Sequence, residues 1–196
     1  MDGVYLTLKK NKFRFLKKLF EYCLILGLLL FGSNLIMTFI FASEKIQGQS
    51  MEPNFSDDDR VLSIRIKPLR RGDIVIFESP KDPDKFYVKR VIGMPGDTVE
   101  YKNDQLYING QIQKEKYLKQ FHESNQDNSK KSSLLTKDFT LKKILNKDRV
   151  PPNSYFVLGD NRIVSEDSRN YGFVKRSSII GIVFIRYWPI GQFSFF

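Results

Sequence analysis

Histidine and cysteine each occur once in the 196 residues, as His122 and Cys23. A single cysteine permits no intramolecular disulfide, so the fold cannot depend on one. No zinc-ligand spacing is present, and neither an internal repeat nor a nucleic-acid module can be read. The lone histidine is the only candidate base for a Ser/His/Asp triad. It is badly placed for that role. It lies in "KQFHESNQDNSKKSS" (119–133), a polar run with little to bury that reads as a mobile loop, and it matches no motif.

Charge is missing from one long stretch. "YCLILGLLLFGSNLIMTFIFA", Tyr22 to Ala42, has 21 residues and no charged one. At a helical rise it spans roughly 30 Å, about one hydrocarbon core. A buried core helix is the bland reading, but uncharged helices of this length are uncommon in a soluble domain of this size. A transmembrane anchor over 21–42 is therefore expected. Lys9, Lys10, Lys12, Arg14, Lys17 and Lys18 precede it against Asp2 alone. That asymmetry puts a basic tail, 1–20, in the cytoplasm and residues 43–196 outside. A cleavable signal peptide fits less well, because the run is long and ends in "FIFASEK" without an A-x-A site. The net charge of +10 falls to +6 from Tyr22 onward. Such an excess suits a surface near anionic lipid or nucleic acid, and reads otherwise as a solvated basic surface.

Beyond the apolar run the texture is that of strands. "RVLSIRI", "GDIVIFES", "KFYVKRVIG", "DTVEYKNDQLYING", "SYFVLGD" and "SIIGIVFIRYW" are short, rich in Val, Ile, Phe and Tyr, and punctuated by Gly, Pro, Asn and Asp. "YKNDQLYI" reads as a hairpin turning at Asn103-Asp104. "TLKKILNK" (140–147) is at most a short helix. The part after the anchor is expected to be mostly β, with irregular connections.

"GQSMEPNF" (48–55) holds one serine, Ser50, a candidate nucleophile. It is not the G-x-S-x-G elbow of an α/β-hydrolase, since Glu52 stands where the second glycine should be. With histidine badly placed, lysine is the remaining base. Burial penalises the ammonium form and lowers its pKa, so the search is for a lysine on an apolar face. Lys89 in "FYVKRVIG" is one. Strand alternation puts it with Tyr87 and Val91, and Arg90 with Val88 and Ile92. One of the two cations must lie near the core. Periodicity does not say which, and an edge strand with both heads reaching water fits the pattern too. A third segment, "YFVLGDNRIVSEDSRNYGFV" (155–174), runs from a strand into a dense polar loop. It reads either as a solvated loop with Asx turns or as a supporting shell for a buried amine.

Taken in order behind the anchor, "GQSMEPN", "RRGDIVIFESP", "YVKRVIGMPGD", "YFVLGDNRIVSEDSRNYG" and "GIVFIRYWPIG" resemble the type I signal peptidases, membrane-bound serine proteases, in their short Gram-positive form. The resemblance implies a Ser50 nucleophile and a Lys89 general base, with Ser165 bonding the lysine amine and Asp167 and Arg169 in a structural ion pair. It implies an oxyanion hole at the Ser50 N–H with help from around Gly48, which has no hydroxyl to offer. Ile46, Met51, Tyr87 and Val88 match the lining of pockets for small residues at substrate positions −1 and −3. It further implies an extracytoplasmic β domain over 43–196 with a smaller β region inserted at about 101–149, no metal or cofactor, and preprotein signal peptides as substrates. Asn54 departs from the threonine usual in the family. Two rival functions are an accessory protein of a pilus-type assembly system that acts by binding, and a self-cleaving repressor. Retention of both Ser50 and Lys89 weighs against the first, and the anchor against the second.

Overall fold

The computed structural model describes residues 2–82, 85–119 and 135–196, the first twelve of these by backbone only. His122 and nearly all of the polar run around it lie outside the described residues. The chain divides into two units, Met1–Ile40 and Phe41–Phe196. The first is one helix, α1 (Asp2–Ile40). Its stretch Arg14–Ile40, within which an 18-residue window reaches a mean hydropathy of 2.2, is long and apolar enough to cross a membrane. The helix stops two residues before the apolar run does. Phe41 and Ala42 open β1 (Phe41–Lys45), opposite Ile64 and Ser63 of β2 (Arg60–Ile64). Apolar character alone does not mark where a spanning helix gives way to a half-buried strand; the antiparallel partner does.

The second unit is built on an eight-stranded antiparallel sheet. Besides β1 and β2 it contains β3 (Ile74–Glu78), β4 (Phe86–Gly93), β9 (Ser154–Leu158), β10 (Val174–Lys175), β11 (Ile179–Trp188) and β12 (Ser194–Phe195), in the order β1-β2-β11-β3-β4-β9-β10 with β12 on β11. Between β4 and β9 the chain makes a second, four-stranded sheet. Its members are β5 (Val99–Lys102), β6 (Gln105–Ile108), β7 (Gln111–Gln113) and β8 (Phe139–Thr140), in the order β7-β6-β5-β8. The β5–β6 hairpin turns at Asn103 and Asp104, at φ 50° and 60°. Asn and Asp tolerate that left-handed backbone best among residues with a side chain, which is why the turn was readable. A short helix, α2 (Leu141–Leu145), follows; the Thr140 hydroxyl accepts from the Lys143 N–H at its start, and Asn146 ends it at φ 53°.

Strand β3 is covered on both faces, so it lacks the alternation of a half-exposed strand. Val75 and Phe77 pack with Val91, Val157 and Ile182, while Ile74 and Ile76 face Ile46, Met51 and Phe55. A third cluster joins the sheets, with Ile92, Phe156 and Leu158 from the larger against Val99, Tyr101, Leu106, Ile108 and Phe139 from the smaller. Phe156 is fully buried at this junction, its ring 5.8 Å from that of Phe139. Phe156→Ala should therefore destabilise the domain by about 3–5 kcal/mol, the cost of a large core truncation with incomplete collapse. Urea unfolding of the purified protein measures this, and a change below about 1 kcal/mol would mean the two sheets do not share this core.

Candidate active site

The segment between β1 and β2, residues 46–59, is a loop pinched at its neck. The Ile46 N–H donates to the Asp59 carbonyl at 2.8 Å and the Asp58 N–H to the Ile46 carbonyl at 3.0 Å. Met51 and Phe55 fill its inside and are nearly inaccessible. Gly48 sits at φ 82°, a conformation that glycine adopts without penalty. Ser50 rides on the turn that follows, half-buried. Among the described residues its N–H makes no hydrogen bond. Gly48, expected to help there, has its N–H committed to Asp57 Oδ1 at 2.8 Å. Of the two, Ser50 alone keeps a free backbone donor.

Strand β4 settles the question of the two cations, since both are buried. Lys89 is 4% exposed and Arg90 8%. They leave opposite faces of the strand and meet different partners. Lys89 Nζ lies 2.5 Å from Ser50 Oγ. Burial pushes its pKa down to about 8, against the fields of Asp167, Asp160 and Glu166, which favour the charged form. Arg90 holds Asp160 with two hydrogen bonds, Nε to Oδ1 at 2.8 Å and Nη2 to Oδ2 at 2.6 Å, and Asp160 is wholly buried.

The polar loop after β9 backs this pair. Its strand end comes so close to the serine turn that the Asn161 N–H donates to the Ser50 carbonyl at 3.0 Å. A Cβ on Gly159 would overlap Ser165 Oγ and the Ser50 carbonyl oxygen, so the approach requires glycine. Asp167 accepts from Arg169 Nε and Nη2, both at 2.8 Å, and from the Gly159 N–H at 3.1 Å, and it caps α3 (Ser168–Tyr171). Ser165, which the resemblance pairs with the lysine amine, makes no such bond in this geometry. It is buried in the same loop, and its Oγ has no hydrogen-bond partner.

Ser50 and Lys89 open into a cleft of about 320 Å³. Ile46, Met51, Tyr87 and Val88 line it, and Phe86, Val164 and Glu166 stand with them. Larger cavities occur elsewhere, such as one of about 660 Å³ at Pro95 and Lys147–Pro152, but its lining carries no nucleophile and no buried amine. Among the described residues no group of His, Cys, Asp and Glu side chains is disposed to hold a metal ion.

One buried set left no local mark in the sequence. Arg162, 2% exposed, donates Nε to the Gly159 carbonyl at 3.0 Å and Nη1 to Tyr101 Oη at 2.8 Å, and is paired with Glu115. Its partners come from the inserted region, Glu115 lying 47 residues away in the chain. In the sequence its acid looks like any other surface glutamate.

The arrangement is a hydroxyl beside a dry amine, with a free backbone N–H at the same serine. It can carry out acyl transfer. Comparison with known proteins points the same way. A model of the family "Signal peptidase, peptidase S26" matches residues 16–188. Signal peptidase I of Bacillus caldolyticus is 47% identical over 161 residues, covering 80% of this chain and 85% of the relative. Signal peptidase IB of Staphylococcus aureus is 37% identical over 187 residues, covering 91% and 94%. The crystal structure of a signal peptidase I from Enterococcus faecalis superposes with a TM-score of 0.54 at 46% identity, over 60% of this chain and 97% of that one. The chain belongs to the signal peptidase S26 family.

Gly159→Ala should lower kcat/KM about 100-fold, the usual penalty for displacing reacting groups by about an ångström. Circular dichroism must show the variant folded; a folded variant with wild-type activity would mean that the Gly159–Ser50 approach does not matter.

Proposed function

We propose that Ser50 and Lys89 are the nucleophile and general base with which this serine endopeptidase of the signal peptidase I type cleaves signal peptides from preproteins. The observation that carries the assignment is the 2.5 Å contact between Ser50 Oγ and a lysine amine that is 4% exposed. Neutral Lys89 takes the hydroxyl proton as Oγ attacks the scissile carbonyl carbon. The oxyanion that forms accepts from the Ser50 N–H, a donor of a kind worth about 3 kcal/mol to the transition state. Collapse breaks the C–N bond, and the Lys89 ammonium returns the proton to the leaving amine. A water molecule, deprotonated by the same amine, then attacks the acyl-serine; the acyl C–Oγ bond breaks, the Lys89 ammonium returns its proton to Ser50 Oγ, and the signal peptide leaves as a free carboxylate.

The cleft supports the expected preference for small side chains at positions −1 and −3, because Ile46, Met51, Tyr87 and Val88 put apolar atoms beside Ser50 in a space of only about 320 Å³. Ser165 takes an orienting role in this reading: its buried, unpaired Oγ is free to bond the Lys89 amine. Asp167 and Arg169 hold the loop in which it sits. We assign α1 as a membrane anchor with the tail 1–20 in the cytoplasm, and 43–196 as the extracytoplasmic catalytic domain. On that assignment the site works on the side of the membrane to which signal peptides emerge.

Lys89→Arg should be as inactive as Lys89→Ala, since a guanidinium does not give up its proton at any working pH. In the wild type, kcat/KM should climb with pH until Lys89 is neutral, at a midpoint of about 8, because only the deprotonated amine accepts a proton. Turnover of a short signal-peptide substrate measures both. A folded Lys89→Arg enzyme at near wild-type rate, or a profile flat across that range, would remove Lys89 as the base. The orientation has its own test. Protease added to intact spheroplasts should digest the chain beyond Ser43 and spare the tail, and a tail cut from outside would reverse the assignment.

A further inference from the structure

Asn54 follows Ser50 on the same turn, half-buried, and its carboxamide is used twice. Nδ2 donates to Asp160 Oδ2 at 2.8 Å and to the Tyr117 carbonyl at 2.9 Å. The first acceptor belongs to the loop after β9 and the second to the inserted region. The Asn54 carbonyl in turn accepts from Arg186 Nη1 at 2.9 Å, a group that also holds Asp59 Oδ2 at 3.0 Å. One residue of the serine turn thus touches three distant parts of the chain.

Both acceptors are themselves fixed. Asp160 is held by Arg90, and the next residue, Asn161, bonds the Ser50 carbonyl. The Tyr117 ring lies 4.0 Å from the Arg90 guanidinium, and its hydroxyl donates to Glu115 at 2.5 Å. A primary amide has two N–H donors and can serve two acceptors at once; a hydroxyl has one donor and cannot. The asparagine is matched to this place by donor count, and a threonine would leave one acceptor without its partner.

We propose that Asn54 is a positioning residue: it clamps the turn that carries Ser50 to the Asp160 loop and to the inserted sheet together, so that the insert sets where Ser50 Oγ stands relative to Lys89. The idea rests on the dyad reading given above. It assigns the inserted region a part in the reaction although none of its residues lines the cleft.

Three variants test it with a fluorogenic signal-peptide substrate and the full-length enzyme in detergent. Asn54→Leu removes both donors at similar volume, and kcat should fall about 10- to 100-fold with KM within about two-fold, since misplacement of reacting groups affects the chemical step. Asn54→Thr keeps one donor and should fall between the leucine variant and the wild type; it carries the test alone if Asn54→Leu does not fold. Asn54→Asp is isosteric but puts a carboxylate against Asp160. The charged groups acting on Lys89 are Asp167, Asp160, Glu166 and Arg169. One more negative charge beside Asp160 favours the ammonium, so the acid limb of kcat/KM should move to higher pH as well as fall in height. Wild-type kcat in both Asn54→Leu and Asn54→Thr, or a loss confined to KM, overturns the clamp. Ser50→Ala, measured alongside, separates the two levels. If it stays active the dyad itself is wrong; if it is dead while Asn54→Leu is fully active, only the clamp fails.

Discussion

A lysine amine held out of water is the constraint around which this domain is organised. In solvent, an amine of this kind is almost wholly protonated near neutrality and useless as a base. Burial moves Lys89 toward neutrality, and three carboxylates in its surroundings act against that shift. The balance depends on those carboxylates being occupied elsewhere. Asp160 is taken up by Arg90, Asp167 by Arg169 and Glu166 by Lys81. Each pairing spends negative charge that would otherwise stabilise the ammonium. If Lys89 is the base proposed above, ion pairs in this loop are part of the acid–base chemistry as well as of the fold.

Those pairings also explain how so many charges tolerate the interior. Arg90, Asp160, Arg162 and Asp167 are all at most 8% exposed. An unpaired charge at such depth would cost several kcal/mol, and removing one partner leaves the other stranded. Each of them has a bidentate or multiply bonded partner: Arg90 on Asp160, Arg169 on Asp167, Arg162 on Glu115 with tyrosine hydroxyls beside it. The two sheets meet through Ile92, Phe156 and Phe139, and Arg162 bonds Tyr101 and Glu115 across the same junction. Apolar packing supplies most of the adhesion there, and the ion pairs fix the register of the loops on it.

The parts of this arrangement differed in how openly the sequence displayed them. Strands of five or more residues with aromatic and β-branched side chains, such as β3, β4 and β11, declared themselves by composition, and the Asn103-Asp104 turn by its residue types. Strands β7, β8, β10 and β12 are two or three residues long and exist only because a longer partner accepts them. No local pattern marks such a strand. The candidate site divided in the same way. Ser50 and the "SEDSR" loop stood out as motifs, whereas alternation along "YVKRV" left Lys89 and Arg90 equivalent, because a strand buried on both faces has no solvent side to break the tie. Glu115 and Tyr117 were silent altogether. Their partners lie in other segments, and contact between remote segments is a property of the folded topology, not of any window of residues.

The inserted sheet leaves and rejoins the large one at a single place. Gly93 at the end of β4 lies opposite Phe156 of β9, and just beyond, the Gly96 N–H and the Val150 carbonyl are 2.8 Å apart, with the Val150 N–H and the Asp97 carbonyl at 2.9 Å. A segment whose two ends are already joined can change length at little cost in closure entropy, which grows only with the logarithm of the loop. Natural variation and deliberate grafting are accordingly free to lengthen, shorten or replace what lies far from that socket, while the part reaching Glu115 and Tyr117 is bonded to Arg162 and Asn54. Size polymorphism among homologues should accumulate on one side of that divide, making the outer insert the natural port for a reporter or affinity module on an enzyme of this architecture.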